Sequence, residues 1–317
     1  QKLLFNIDRY VMKNNYDVFV IGTGTAGYTL AHQCKKSGKT VGICDWQPMG
    51  GTCAMRGCQP KKYLVTAAEI VELAGLMSDI GISPGAKINW PDLMRAKNGF
   101  TDGVPQRTEQ SFIDAGIDVY HGTARFVSPT EILIGDDRRI TSSFFVVATG
   151  SVPAPLDIPG KEYIRTSDDF LNLSSLPKRI IFICGGYISM EFAHIARIAG
   201  SEVTVLQRGN RIIKTFEEET VDALAKAAEA DGIKIITNYE VCGISQDNSA
   251  YKVAGDEKCT ESHVGDLIIH GAGRAPAIGA LNLDAANIDF SAQGIQVNEY
   301  MQSTSNPRVY AVGDVVA

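Results

Sequence analysis

The chain has 317 residues, 44% hydrophobic and 21% charged, with 30 basic and 36 acidic side chains and a net charge of −6. At roughly 150 residues per domain, that length predicts about two domains, each large enough for its own core. No apolar stretch approaches the roughly 18–20 residues of a bilayer helix, the acidic balance argues against a general nucleic-acid binder, and the ordinary apolar fraction argues against global disorder.

Residues 1–16 contain only a three-residue apolar run, too short for the core of a secretory leader. With seven cysteines in the chain, a reducing cytoplasm is the expected setting, and structural disulfides are not expected there. A cysteine pair that stands out by spacing is then a candidate for redox catalysis or metal binding.

Residues 16–22 (YDVFVIG) predict a buried parallel strand running into Gly22, Gly24 and Gly27, a complete G-x-G-x-x-G. A helix follows, with Gly38 as its stop, and a second strand over 40–44 delivers Asp45. This is the full dinucleotide fingerprint: a tight turn, close backbone approach to a pyrophosphate, a helix N-terminus on the phosphates and an acid on the ribose.

Next comes Gly50-Gly51-Thr52-Cys53-Ala-Met-Arg-Gly57-Cys58-Gln-Pro60-Lys61-Lys62. A zinc site needs about four ligands, and no further cysteine or histidine lies nearby in sequence. Cysteines five apart on a regular helix diverge by roughly 140°, so a bridge requires a distorted or starting helix, which Gly50, Gly51 and Gly57 permit. Thiols at a helix N-terminus would be acidified and reactive. An isolated C-x4-C, however, also fits two unrelated buried thiols. Cys34, Cys44, Cys184, Cys242 and Cys259 sit singly and are expected to be unpaired.

The strand-to-glycine unit FFVVATGSVP (144–153) closes the first half, and the proline-rich 151–160 reads as a crossing between domains. The first fingerprint then returns at a constant offset of 162 residues: Gly22 maps to Cys184, Gly24 to Gly186, Gly27 to Ser189 and Asp45 to Gln207. Cysteine at the tightest point of the turn costs on the order of 1 kcal/mol if that position needs φ > 0. Neutral Gln207 is followed by Arg208, with Arg211 and Lys214 close behind. The first site therefore suits a ribose without a 2′-phosphate, and the second suits NADP(H) over NAD(H). A solvated basic face is the plain alternative. Residues 215–231 predict a surface helix with Thr215 as cap and Gly232 as stop, and LIIHGAGRAP (267–276) closes the second half. From Gly22 to Gly150 is 128 residues, against 89 from Cys184 to Gly273, so the cysteine pair lies in the enlarged middle of the first half.

GGTCAMRGCQPKK closely resembles the redox motif of the class I flavoprotein disulfide reductases, the group containing glutathione reductase, dihydrolipoamide dehydrogenase and mercuric reductase. The resemblance runs from about Tyr16 to the end of the chain through five motifs in the family's order: the first fingerprint, the cysteine motif, ATG at 148–150, the second fingerprint with GYISME, and VYAVGD at 309–314. It implies an α/β, three-layer fold of two Rossmann-like domains. Residues 12–150 with about 277–317 would bind FAD, 151–276 would bind NAD(P), and 1–11 would be leader or expression-derived sequence.

By the same resemblance, FAD would lie on Gly22, Gly24, Gly27, Asp45, Gly51, Thr52, Ala124, Thr149, Gly150 and Asp314. NADPH would lie on Gly185, Gly186, Tyr187, Ile188, Arg208, Lys214, Gly273 and Arg274. Hydride would pass from NADPH through FAD to a Cys53–Cys58 disulfide, with Cys58 facing the flavin and Cys53 attacking a small disulfide or metal-thiolate substrate. Lys61 would pair beside the flavin with Glu191, which falls at apolar-face spacing on its helix and, if buried, needs a cation. No resident metal, nucleic acid or membrane is implied. The family's dimerisation domain, with its acid–base histidine, has no counterpart in this chain, whose histidines are His32, His121, His194, His263 and His270. A fragment of a homodimeric enzyme is therefore expected. The alternatives are a flavin NAD(P)H oxidase or diaphorase, and a nucleotide-binding remnant without turnover.

Overall fold

The computed structural model describes residues 13–256 and 259–317; the expected leader segment, 1–11, lies outside them. In chain order the chain forms β1 (Asn15–Ile21), α1 (Thr25–Lys36), β2 (Val41–Asp45), α2 (Gly51–Met55), α3 (Cys58–Leu76), α4 (Trp90–Thr101), α5 (Val104–Asp114), β3 (Asp118–His121), β4 (Ala124–Ser128), β5 (Glu131–Ile134), β6 (Arg138–Val147), β7 (Ser151–Pro153), β8 (Ile164–Arg165) and α6 (Ser167–Phe170). The repeat continues with β9 (Arg179–Ile183), α7 (Tyr187–Ile198), β10 (Glu202–Leu206), α8 (Glu218–Ala230), β11 (Ile233–Ile236), β12 (Val241–Asp247), β13 (Ala250–Gly255), β14 (Glu261–Gly265) and β15 (Leu267–His270). Four short strands follow: β16 (Arg274–Pro276), β17 (Phe290–Ser291), β18 (Gly294–Ile295) and β19 (Val309–Ala311).

By packing, the chain divides into two units: residues up to Cys53 with 103–152 and 275–317, and residues 54–102 with 153–274. The expected first domain, 12–150, is thus interrupted, because α3 and α4 pack with the second unit. Leu64, Trp90 and Met94 join the core cluster of Phe170, Phe182 and Phe192.

In the first unit, β3-β2-β1-β6-β19 run parallel, and the first half of β6 pairs antiparallel with β5, which pairs with β4. Alternation along each strand splits the core between the two faces of the sheet. Phe19, Ile21, Phe145 and Val147 enter one cluster, while Val18, Val20, Val146 and the α1 residue Ala31 enter the other. A sheet buried on both faces needs continuous apolar runs, which is why YDVFVI and FFVV read as strands without polar alternation.

The second unit repeats the plan. β11-β10-β9-β15-β8 are parallel, and β12, β13 and β14 form a separate antiparallel sheet. Phe182 and Val205 lie in one core cluster, Ile181 and Leu206 in the other. The surface helix starts later than the spacing predicts: α8 begins at Glu218 with Glu217 as an N-cap lacking a side-chain bond, so Thr215 caps nothing. The chain is still turning there, with Ile213 at φ +41° and the Phe216 amide bonded to the Ile213 carbonyl. No helix among the described residues is long and apolar enough to cross a membrane.

Candidate active site

Gly22, at the end of β1, has φ +110°, and a Cβ there would lie 2.3 Å from the Ala148 carbonyl oxygen. A Cβ on Gly27 would lie 2.0 Å from the Gly22 oxygen, and one on Gly51 only 2.4 Å from the Gly24 Cα. The cradle thus exists only because these residues have no side chains. Gly24 caps α1 without a side-chain bond, leaving the first-turn amides to a ligand.

Asp45, ending β2, accepts at Oδ2 from the Thr23 amide (2.8 Å) and hydroxyl (2.6 Å), and at Oδ1 from the Gln47 amide (3.0 Å). Two buried polar atoms of this unit, Thr149 Oγ1 and Gln47 Oε1, have no protein partner. Burying such atoms unpaired costs about 1–3 kcal/mol each, so a polar ligand would stabilise them. Exposed Asp314 accepts from the Ser151 hydroxyl at 3.1 Å, and buried Ala124 opens β4. The donor set and the cradle fit a dinucleotide.

The second turn reproduces two amide-donated bonds of the first. The Gly22 amide donates to the Cys44 carbonyl at 2.8 Å, and the Cys184 amide donates to the Leu206 carbonyl at 2.8 Å. The Thr23 amide reaches Asp45 Oδ2 at 2.8 Å, and the Gly185 amide reaches Gln207 Oε1 at 2.9 Å. Cys184 takes φ +69°, the left-handed conformation that the glycine alignment anticipated. Its half-buried thiol is pushed up by burial, while the nearby Arg208 and Lys214 pull it down. Both cations therefore stand close to the turn and exposed, and Lys214 Nζ lies over Gly209, within 2.3 Å of a notional Cβ. Arg211 pairs with Glu218 at 3.2 Å and donates to the Lys214 carbonyl at 3.3 Å.

A cavity in this unit is lined by Gly186, Tyr187, Ile188, His270, Gly273 and Arg274. Tyr187 is 54% exposed, as a side chain at the mouth of a cavity must be. Two contributors escaped the sequence reading. His270 is buried and donates from Nε2 to the Ala154 carbonyl at 2.6 Å. Asp168, beside the lining residue Ser167, pairs with Arg56 at 3.5 Å; burial raises its carboxyl, and Arg56 and Arg274 oppose that shift. The signal available for Asp168 was Thr166-Ser-Asp-Asp169, which forms a capping box at the start of α6. Replacing Thr166 with alanine should cost about 1 kcal/mol. Urea denaturation checks this, and an unmoved midpoint would show that the cap does not support α6.

Around the cysteine motif, the helix distortion that a bridge would require is present, as two helices. Half-buried Cys53 lies in α2, the helix breaks at Arg56 and Gly57 (φ −143°, ψ −114°), and exposed Cys58 starts α3 as a free thiol, so the expected Cys53–Cys58 disulfide is not formed in this structure. Pro60 sits in the first turn of α3, where its missing amide hydrogen costs nothing. Next to it, Lys61 donates to both carboxylate oxygens of Glu191 on α7, each at 2.6 Å. The pair is not buried as expected, since Glu191 is 38% exposed at its side chain.

Three of the five remaining cysteines stand singly: Cys34, Cys44 and Cys184, with thiols raised by burial. The expectation of no structural disulfide fails for the other two. Cys242 and Cys259 are bonded to each other, because a bulge in β12 and the turn after β13 bring their Cα atoms to 6.1 Å. No group of three or more metal-ligating side chains occurs among the described residues.

Residues 16–317 match the family model described as pyridine nucleotide-disulphide oxidoreductase. Glutathione reductase from Nostoc sp. is 34% identical, over 96% of this chain and 68% of that protein. Mercuric reductase from Staphylococcus aureus is 32% identical, over 95% of this chain and 56% of its own length. Dihydrolipoyl dehydrogenase from Acholeplasma laidlawii is 31% identical, over 96% of this chain and 91% of its own. Among solved structures, the HOCl-induced flavoprotein disulfide reductase RclA of Escherichia coli, as its Cu(II) complex, superposes with a TM-score of 0.85 at 26% identity. The chain covers 66% of that protein.

Proposed function

Because the chain belongs to the pyridine nucleotide-disulphide oxidoreductase family, whose members use FAD and NAD(P)H, we propose that it moves electron pairs from NADPH by way of FAD to Cys53 and Cys58, and from them to a small disulfide or metal-thiolate. One observation carries this reading. The chain builds the same dinucleotide turn twice, ending one copy in a carboxylate and the other in a neutral amide beside two exposed cations, and the redox motif follows the carboxylate copy.

In this proposal Gly22, Gly24, Gly27, Gly51, Thr52, Asp45, Ala124, Thr149, Gly150 and Asp314 hold FAD. Gly185, Gly186, Tyr187, Ile188, Gly273 and Arg274 hold the reduced dinucleotide, with Arg208 and Lys214 on its 2′-phosphate. Bound FAD supplies a two-electron relay between the nicotinamide and the thiols. Cys58 is the exposed first residue of a 19-residue helix. Glu191 holds the Lys61 ammonium in position through both of its carboxylate oxygens. Cys53 thiolate attacks the substrate disulfide, forming a mixed disulfide and releasing one thiol. Cys58 thiolate then attacks Cys53, releasing the second thiol and leaving Cys53 joined to Cys58. A cytoplasmic setting belongs to this proposal, supported by the mild acidity of the chain.

Anaerobic titration with NADPH tests the reading. A long-wavelength thiolate–flavin band should appear in the wild type and vanish in Cys58→Ser. Flavin bleaching without that band would instead indicate an oxidase or diaphorase, and purification without flavin a remnant.

A further inference from the structure

We propose that the Cys242–Cys259 disulfide is a second, reversible redox pair, and that it braces the loop selecting the dinucleotide, so that its reduction weakens binding of the 2′-phosphorylated cofactor. The inference rests on the reading that Arg208 and Lys214 receive the 2′-phosphate.

Cys242 is the extra residue of a bulge in β12. Val241 pairs with Gly255 and Gly243 with Ala254, so Cys242 has no partner across the ladder. Exposed Cys259 lies in the connection from β13 to β14, at φ +55°. That connection is held from one side by the Asp256 carboxylate, which accepts from the Thr260 amide (3.1 Å), the Thr260 hydroxyl (2.6 Å) and the Glu261 amide (3.2 Å). From the other side it is held by the disulfide.

The brace reaches the dinucleotide loop through Tyr239, three residues before Cys242. Tyr239 is 2% exposed and donates its hydroxyl to the carbonyls of Val253 and Glu261, each at 3.2 Å, so it is clamped by the strands flanking the disulfide-closed turn. Its ring fills the space over Gly255, where a Cβ would lie 2.1 Å away. On its backbone side, the Tyr239 amide donates to the Gln207 carbonyl and the Asn238 amide to the Gly209 carbonyl, each at 3.0 Å. Arg208 is therefore suspended between two backbone bonds from the segment that the disulfide-closed sheet anchors. Gln207 is also the residue whose side chain holds the Gly185 amide of the turn. A loosened sheet would disturb the cation and the turn together.

A domain with cores of this size does not need a staple to fold, and an exposed sulfur is open to exchange. Reduction by a small dithiol begins with thiolate attack on Cys259 Sγ, which breaks the S–S bond, forms a mixed disulfide and leaves Cys242 as the thiol. The second thiol of the reagent then attacks the mixed disulfide, releasing Cys259 as a thiol and closing the reagent into a cyclic disulfide. Two electrons and two protons pass to the pair.

The test is calorimetric titration of NADP+ and NAD+ into the holoprotein, as oxidised and after dithiothreitol, and into C242S/C259S under both conditions. Mass spectrometry of alkylated peptides would report the state of the pair, and circular dichroism the fold of the variant. Reduction should weaken NADP+ binding about five- to tenfold with a smaller change for NAD+. C242S/C259S should match the reduced wild type and ignore the reductant. An unchanged preference on reduction, or a variant that binds like the oxidised wild type, overturns the inference alone. Equal affinity of the oxidised wild type for both dinucleotides overturns the reading of Arg208 and Lys214, and this inference with it.

Discussion

Cys53→Ser is expected to lower NADPH-dependent disulfide reduction by about 10³-fold or more, while NADPH-driven reduction of an artificial acceptor such as ferricyanide survives. A serine hydroxyl stays protonated near neutral pH and attacks sulfur poorly, so the exchange step loses its nucleophile. Electron flow from the dinucleotide as far as the flavin does not use that sulfur. Parallel assays with a small aromatic disulfide and with ferricyanide check the split. Equal loss in both would remove Cys53 from the interchange role.

Arg208→Glu should raise the KM for NADPH about 30- to 100-fold and leave that for NADH within about threefold, since it replaces a charge-assisted phosphate contact with repulsion. The structure narrows the cation set on which this rests. Three basic residues follow Gln207 in sequence, but Arg211 is committed to Glu218 at 3.2 Å and to the Lys214 carbonyl at 3.3 Å, leaving the Arg208 and Lys214 side chains exposed beside the turn. Gln207 itself is committed to the Gly185 amide, so it does not take over discrimination. Arg211→Glu removes both the Glu218 pair and the bond to the Lys214 carbonyl, so it should disturb the start of α8 and lower the dinucleotide preference by less than Arg208→Glu does. Steady-state KM ratios for the three enzymes decide this, and parallel effects of Arg208→Glu on both dinucleotides would overturn the assignment.

The sequence by itself determined whatever depends on short-range rules. Glycines at the turn, apolar runs of strand length and the residue ending each second strand specify both dinucleotide folds. Their conformations follow from φ > 0 at Gly22 and Cys184, and from amides that need partners a fixed distance along the chain. The 162-residue offset therefore recurs in the hydrogen bonds themselves. That a bridge between Cys53 and Cys58 would need a distorted helix was legible for the same reason, since a regular helix turns the two side chains apart. The pairing of Lys61 with Glu191 came from family resemblance, because its 130-residue separation lies beyond any local rule.

Only the tertiary structure decided the rest. Residues 54–102 pack with the second unit because the apolar face of α3 and α4 finds its complement around Phe170 and Phe182, a choice that hydrophobic spacing alone leaves open. Asp168 meets Arg56, and Arg211 meets Glu218, because folded elements bring these side chains together. Cys242 and Cys259, 17 residues apart and unremarkable in sequence, become a disulfide because one bulge and one turn align them. Backbone preferences act over a few residues and are written in them; pairings across a fold depend on how whole faces are buried, and that is settled only when the chain packs.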